Sequence, residues 1–226
     1  MWTALSDILP YTIGLIVSPL PVVAVIVLMV SQGGSRKATI FEIAWLVVSF
    51  VFLVALVALF SSFTPSTQVG TPTWKAVVVL CIGALLLIVG LFALLVMARK
   101  RRILAKRAPK WLAAMDTMKG RGVAGLAALL VVANPVNASM ILAAAASLNG
   151  HHLPFVQTLL PALIFVLVGS IAVVTPYVIA LVEGERAQPI LHRVRLWMVR
   201  YNNVMTVVVC AAFGAYFLTK GIRELS

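Results

Sequence analysis

Six apolar runs of 16 to 28 residues dominate this 226-residue chain and leave little room for any fold but a bundle of membrane helices. A helix needs about 20 apolar residues to cross a hydrocarbon core of ~30 Å. The runs are Leu9 to Val30, Ile40 to Phe60, Trp74 to Met97, Val123 to Leu148, Phe155 to Val182 and Val204 to Thr219. Hydrophobic residues make up 62% of the chain and charged residues 11%. A soluble domain needs more polar surface than that. The expected fold is therefore an all-α integral membrane protein with six transmembrane helices. The net charge of +12 does not indicate nucleic acid, because the basic residues lie between apolar runs rather than along one soluble face.

Those basic residues orient the bundle. Cytoplasmic segments of membrane proteins carry the excess of Lys and Arg. If the N-terminus is outside, the cytoplasmic side receives Arg36 and Lys37, nine basic residues from Arg99 to Arg121, and Arg186, Arg193, Arg195 and Arg200. Of 18 basic residues only Lys75, Lys220 and Arg223 remain outside. Both termini are accordingly expected outside the cytoplasm. Met1 to Leu9 contains no Lys or Arg, so the first run is expected to be a retained helix rather than a cleaved signal. Trp2, Trp74, Trp111 and Trp197 fall near predicted membrane edges, whereas Trp45 is deeper.

Three runs precede the long basic segment and three follow it. The chain divides into residues 1–97, a basic cytoplasmic loop over 98–122, and residues 123–226 within one membrane domain. Halves of three helices each have opposite orientations, the arithmetic of an inverted repeat. A shift of 116 positions places Pro19 on Pro135, Ser31 on Ser147 and Gly34 on Gly150. Run one contains Ser18-Pro19-Leu20-Pro21 and run four contains Asn134-Pro135-Val136-Asn137, so the first helix of each half is expected to be broken. Proline lacks a backbone donor, and broken backbone inside a membrane is tolerated where it is buried or lines a polar cavity. Ser18, Pro19, Pro21, Asn134, Pro135 and Asn137 are the candidate substrate-binding residues. The plainer alternative is two proline kinks patched by local side chains.

Glu42, near the cytoplasmic start of run two, is the candidate for proton or cation coupling, because intramembrane carboxylates are costly. Pairing with Arg36 or Lys37 is the structural alternative. Arg36, Lys37, Arg99, Arg101 and Arg102, with Lys106, Arg107 and Lys110 after them, would attract anionic headgroups, or serve only to set topology. Pro189 to Tyr201 has Ile190, Val194, Trp197 and Tyr201 at helical spacing and could lie along the interface before the last run. The adjacent His151 and His152 lack further ligands, so no metal is expected. Cys81 and Cys210 lie within apolar runs and read as packing residues. No Ser/His/Asp set or paired carboxylates suggest an enzyme, and no cofactor is expected.

Ser18-Pro19-Leu20-Pro21, the basic turn from Ser31 to Lys37, Ala44-Trp45, and Asn134-Pro135-Val136-Asn137 with the alanine-rich run after it together resemble the glycopeptidolipid- and sulfolipid-addressing proteins of actinobacteria. That family is grouped with the LysE-type exporter superfamily, six spans in two three-helix repeats. The resemblance covers nearly the whole chain. It implies transport of a lipid or glycolipid across the bacterial cytoplasmic membrane towards the envelope, with the two proline elements lining the transport site. It also implies an apolar residue where Glu42 stands. Expected partners are membrane lipids, anionic or glycosylated, and envelope-lipid biosynthesis proteins, with a homodimer by analogy. Small residues such as Gly83, Gly90, Ala143 and Ala146 permit close helix contact without saying whether it is within one chain or between two. Two rival functions are export of a small polar solute, such as an amino acid or metal ion, and a non-transporting scaffold for envelope-lipid assembly.

Overall fold

The computed structural model describes residues 1–31, 33–62, 73–100, 118–151 and 153–225. These form α1 (Trp2–Val17), α2 (Pro19–Val30), α3 (Gly34–Ser62), α4 (Thr73–Lys100), α5 (Gly120–Val132), α6 (Pro135–Gly150), α7 (Phe155–Gly169), α8 (Ile171–Glu183), a 3₁₀ turn (Gly184–Ala187) and α9 (Gln188–Leu225). Three helices among the described residues are long and apolar enough to cross a membrane alone, with up to six spans if each bent pair counts as one. The molecule is an all-helical membrane protein.

Two of the bends fall where proline begins a new helix. Between α1 and α2 the axis turns by 50°, and between α5 and α6 by 63°. Pro19 and Pro135 occupy the first turn of α2 and α6, where an N–H has no intrahelical partner to lose. Ser18 and Asn134 precede them in extended conformation, as residues before proline prefer.

A third break corrects the expectation of one continuous helix over Phe155 to Val182. The chain bends by 57° between α7 and α8. It turns at Gly169-Ser170, a Gly/Ser pair of the kind that kinks helices, and not at Pro161 or Pro176. A Cβ on Gly169 would lie 2.9 Å from Leu15 Cδ1, so α1 approaches the break closely here. Trp45 of α3 is buried, and its indole Nε1 donates to Ser170 Oγ at 3.1 Å, stitching α3 to the break.

The last helix brings a second correction. The segment from Pro189 to Tyr201 does not turn before entering the span; α9 is one unbroken helix of 38 residues. At 1.5 Å per residue it is about 57 Å long, well beyond the hydrocarbon thickness. It packs most extensively on α4. A Cβ on Gly83 would lie 2.9 Å from Leu218 N, and one on Gly90 would lie 2.9 Å from Cys210 Cβ. The small residues of α4 are therefore used within the chain, and Ala143 and Ala146 of α6 are buried in the same bundle.

The remaining contacts follow a pattern across the halves. α2 packs on α9 as α4 packs on α6, α3 on α6 as α2 on α8, and α1 on α7 as α3 on α5. The N-terminus, the end of α6 and the end of α9 share one end of the bundle. There His151 Nε2 and Asp7 Oδ2 are 3.0 Å apart, and Lys220 Nζ donates to Tyr11 Oη at 3.1 Å.

Candidate functional site

Bending two helices at their centres leaves space between the half-helices, and here that space is a cavity of about 420 Å³. Its volume falls within the ~300–1,000 Å³ range of ligand pockets. One wall is the first break, with Val17, Ser18, Pro19 and Leu20; a second is the other break, with Ala133, Asn134, Pro135 and Val136. α4 supplies Phe92, Ala93 and Val96, and α9 supplies Asn202, Asn203 and Thr206. Phe92 is 68% exposed and Leu129, from α5, is 60% exposed, so the cavity has an apolar rim on the outer surface of the bundle.

The two breaks touch. Asn134 Nδ2 donates to Ser18 Oγ at 3.4 Å, a long hydrogen bond between residues 116 apart in sequence. Asn134 also accepts from the Val136 N–H at 3.1 Å through Oδ1, which caps α6. An Asn cap is worth about 1 kcal/mol. Asn137 mends the break from behind: Nδ2 donates at 2.9 Å to the carbonyl of Leu130, one of those orphaned at the end of α5. Both α2 and α6 begin at the cavity, so the positive ends of two helix dipoles face it.

Of the six expected substrate-binding residues, Ser18, Pro19, Asn134 and Pro135 line the cavity. Pro21 and Asn137 do not; both are buried in helix packing, Asn137 completely. The α6 break is thus both patched by a local side chain and open to a cavity. The residues missed from sequence are Asn202, Asn203 and Thr206. Their signal in the sequence is the pair of adjacent amides just before Val204, the expected start of the last span, whereas the helix begins sixteen residues earlier. Asn202 Oδ1 is buried with no hydrogen-bond partner, although Nδ2 reaches Asn203 Oδ1 at 3.4 Å. Such orphaned acceptors call for an explanation.

Glu42 lies apart from this cavity, 5% exposed on the inner face of α3. Neither carboxylate oxygen has a hydrogen-bond partner, so the pairing with Arg36 or Lys37 is not made through hydrogen bonds. Arg36 is exposed, and Lys37 Nζ lies 3.4 Å from Ser31 Oγ. The expected headgroup-attracting residues Arg101 and Arg102 lie outside the described residues, as do Trp111 and His152; the side chain of Arg99 is likewise not described. No group of three or more His, Cys, Asp or Glu among the described residues is placed to hold a metal ion.

Comparison with known families gives a match across almost the entire chain. The family model for Sap, sulfolipid-1-addressing protein, matches residues 8–223. No curated protein and no solved structure matches.

Proposed function

This chain belongs to the sulfolipid-1-addressing protein family, a membrane protein involved in lipid handling, and from that premise we propose a secondary transporter that moves a lipid or glycolipid across the cytoplasmic membrane. The observation that carries the reading is the cavity between the two broken helices, a largely apolar space into which a few uncharged polar side chains from both breaks and from α9 are gathered. Amide and hydroxyl groups of Asn134, Asn202, Asn203, Ser18 and Thr206 would take a polar headgroup out of water without requiring a charge. The rim at Phe92 and Leu129 would let acyl chains stay in the bilayer while the headgroup passes the midplane. Two half-helix N-termini at such a site would favour headgroup oxygens, an arrangement found in secondary transporters.

The alternating movement would come from two inverted halves, 1–97 and 123–226, within the LysE-type architecture. The paired packing of α2 on α9 with α4 on α6, and of α3 on α6 with α2 on α8, supports an approximate two-fold relation. The distribution of Lys and Arg supports termini on the outer side. Arg36, Lys37 and the basic residues of segment 98–122 would then gather anionic lipid at the inner surface. Envelope-lipid biosynthesis proteins would deliver the cargo there.

The test compares surface-extractable lipids of a strain lacking the gene with those of the restored strain. A lipid that is still synthesised, missing from the surface, and restored by the intact gene alone is the expected result. An unchanged surface profile would overturn the lipid reading and turn the search to small polar solutes.

A further inference from the structure

The seam between α3 and the third break contains an acid that neither the cavity nor the packing accounts for. Two hydrogen bonds tie α3 to this region. Thr39 Oγ1 and Tyr177 Oη of α8 are 2.8 Å apart, and Trp45 Nε1 donates to Ser170 Oγ at 3.1 Å. Helical residues rotate by about 100° each, which places Glu42 in the sector between Thr39 and Trp45. It therefore projects into the same seam, one turn from each tie. Its carboxyl group is buried with both oxygens unpartnered.

None of the charged and titratable groups around it makes a hydrogen bond to its carboxyl oxygens. α2, α6 and α7, which pack against α3, contain none. On α8 they are Tyr177, whose hydroxyl is engaged by Thr39, and Glu183, which is exposed. On α5 there is Arg121, exposed, with Lys119 exposed just before it; on α3 itself there are Arg36 and Lys37. An ionised carboxylate without a partner is costly in such a place. The closed seam therefore favours the neutral acid.

We propose that Glu42 is a proton-binding site, and that release of its proton opens the seam between α3 and the α7–α8 break. The step is Glu42–COOH giving Glu42–COO⁻ and a proton that passes to water. The carboxylate left behind needs hydration, which the closed seam cannot supply. Separation of α3 from α8 would supply it, at the expense of the Thr39–Tyr177 and Trp45–Ser170 ties. Proton occupancy and the angle of the third bend are then linked. The site stands whether or not a lipid is the cargo, and its test uses no lipid substrate.

The full chain in nanodiscs is treated with dicyclohexylcarbodiimide, which reacts with protonated carboxyls in apolar surroundings, and the adducts are located by peptide mass spectrometry. The expected result is a Glu42 adduct that declines with rising pH, by roughly tenfold per unit beyond the midpoint. The other five acids of the chain serve as controls. In parallel, amide exchange over residues 166–177 is compared between the wild type and Glu42→Gln at each pH. Exchange should be equal at acid pH and severalfold faster in the wild type once the adduct has gone. No adduct at any pH, or one indifferent to pH, would overturn the proton site. A pH-dependent adduct with equal exchange throughout would overturn its link to the seam. Should Glu42→Gln not be recovered folded, the wild-type adduct profile decides the proton site and the wild type with Thr39→Val decides the link.

Discussion

The second and third breaks are bent to a similar degree, 63° and 57°, yet they spend their polar groups differently. At the second, Asn134 caps α6, reaches across to Ser18, and still lines a cavity. At the third, Ser170 receives the indole N–H of Trp45 deep in the bundle, and the cavity beside that break is apolar except for Thr175, whose hydroxyl donates to the Ile171 carbonyl. A broken membrane helix is therefore not in itself a binding site. What matters is whether the polar atoms freed at the break are consumed by a neighbouring helix or left facing open space.

Four substitutions probe that contrast, and the largest effect belongs to the third break. Trp45→Ala removes the largest fully buried side chain and leaves Ser170 unpaired; it should cost about 3–5 kcal/mol of stability. Thermal unfolding in detergent measures it, and a variant as stable as the wild type would mean that the third break does not depend on this tie. Next comes Asn134→Ala, which should insert and fold with a loss of only ~1 kcal/mol from the cap. Transport by it should nevertheless fall to background, and normal lipid restoration by this variant would remove the proposed site.

Asn202→Ala tests the wall contributed by α9. Its buried oxygen has no partner, so stability should be unchanged or slightly higher, while loss of one headgroup hydrogen bond should lower transport by about tenfold. Equal loss of stability and transport would make Asn202 a packing residue instead. The smallest effect is expected for Ser18→Ala, where the hydrogen bond is 3.4 Å long and worth no more than ~0.5 kcal/mol. A larger change in unfolding temperature would show that the contact between the two breaks holds the halves together.

The legible part of the site was the part marked by proline. Pro19 and Pro135 announce a break wherever they fall in an apolar run, because neither can donate within a helix. Their neighbours were less predictable. Asn137 sits three residues after Asn134 and looks equally fit for a ligand, but the first turn of α6 swings it back onto Leu130. Gly169-Ser170 carries no comparable mark. Many membrane helices absorb a Gly or Ser without bending, and here the bend coincides with the close approach of Leu15 and the tie to Trp45. Asn202 and Asn203 escaped for the opposite reason: a polar pair at the edge of an apolar run reads as the end of the span, although α9 carries on through it.

The sequence by itself determined the class of fold, the number of apolar runs and the two proline breaks. Each follows from a local rule: the thickness of hydrocarbon, or a backbone N–H that proline lacks. Membership of the family was legible in the same short elements. Only the tertiary structure decided which polar groups meet. It brought Ser18 to Asn134 across 116 residues, set Asn202 in the wall of the same cavity, and left the Glu42 carboxyl without a hydrogen-bond partner between two ties. Those outcomes depend on how bent helices pack against one another, and the contacts that fix that packing are made by residues far apart in the chain.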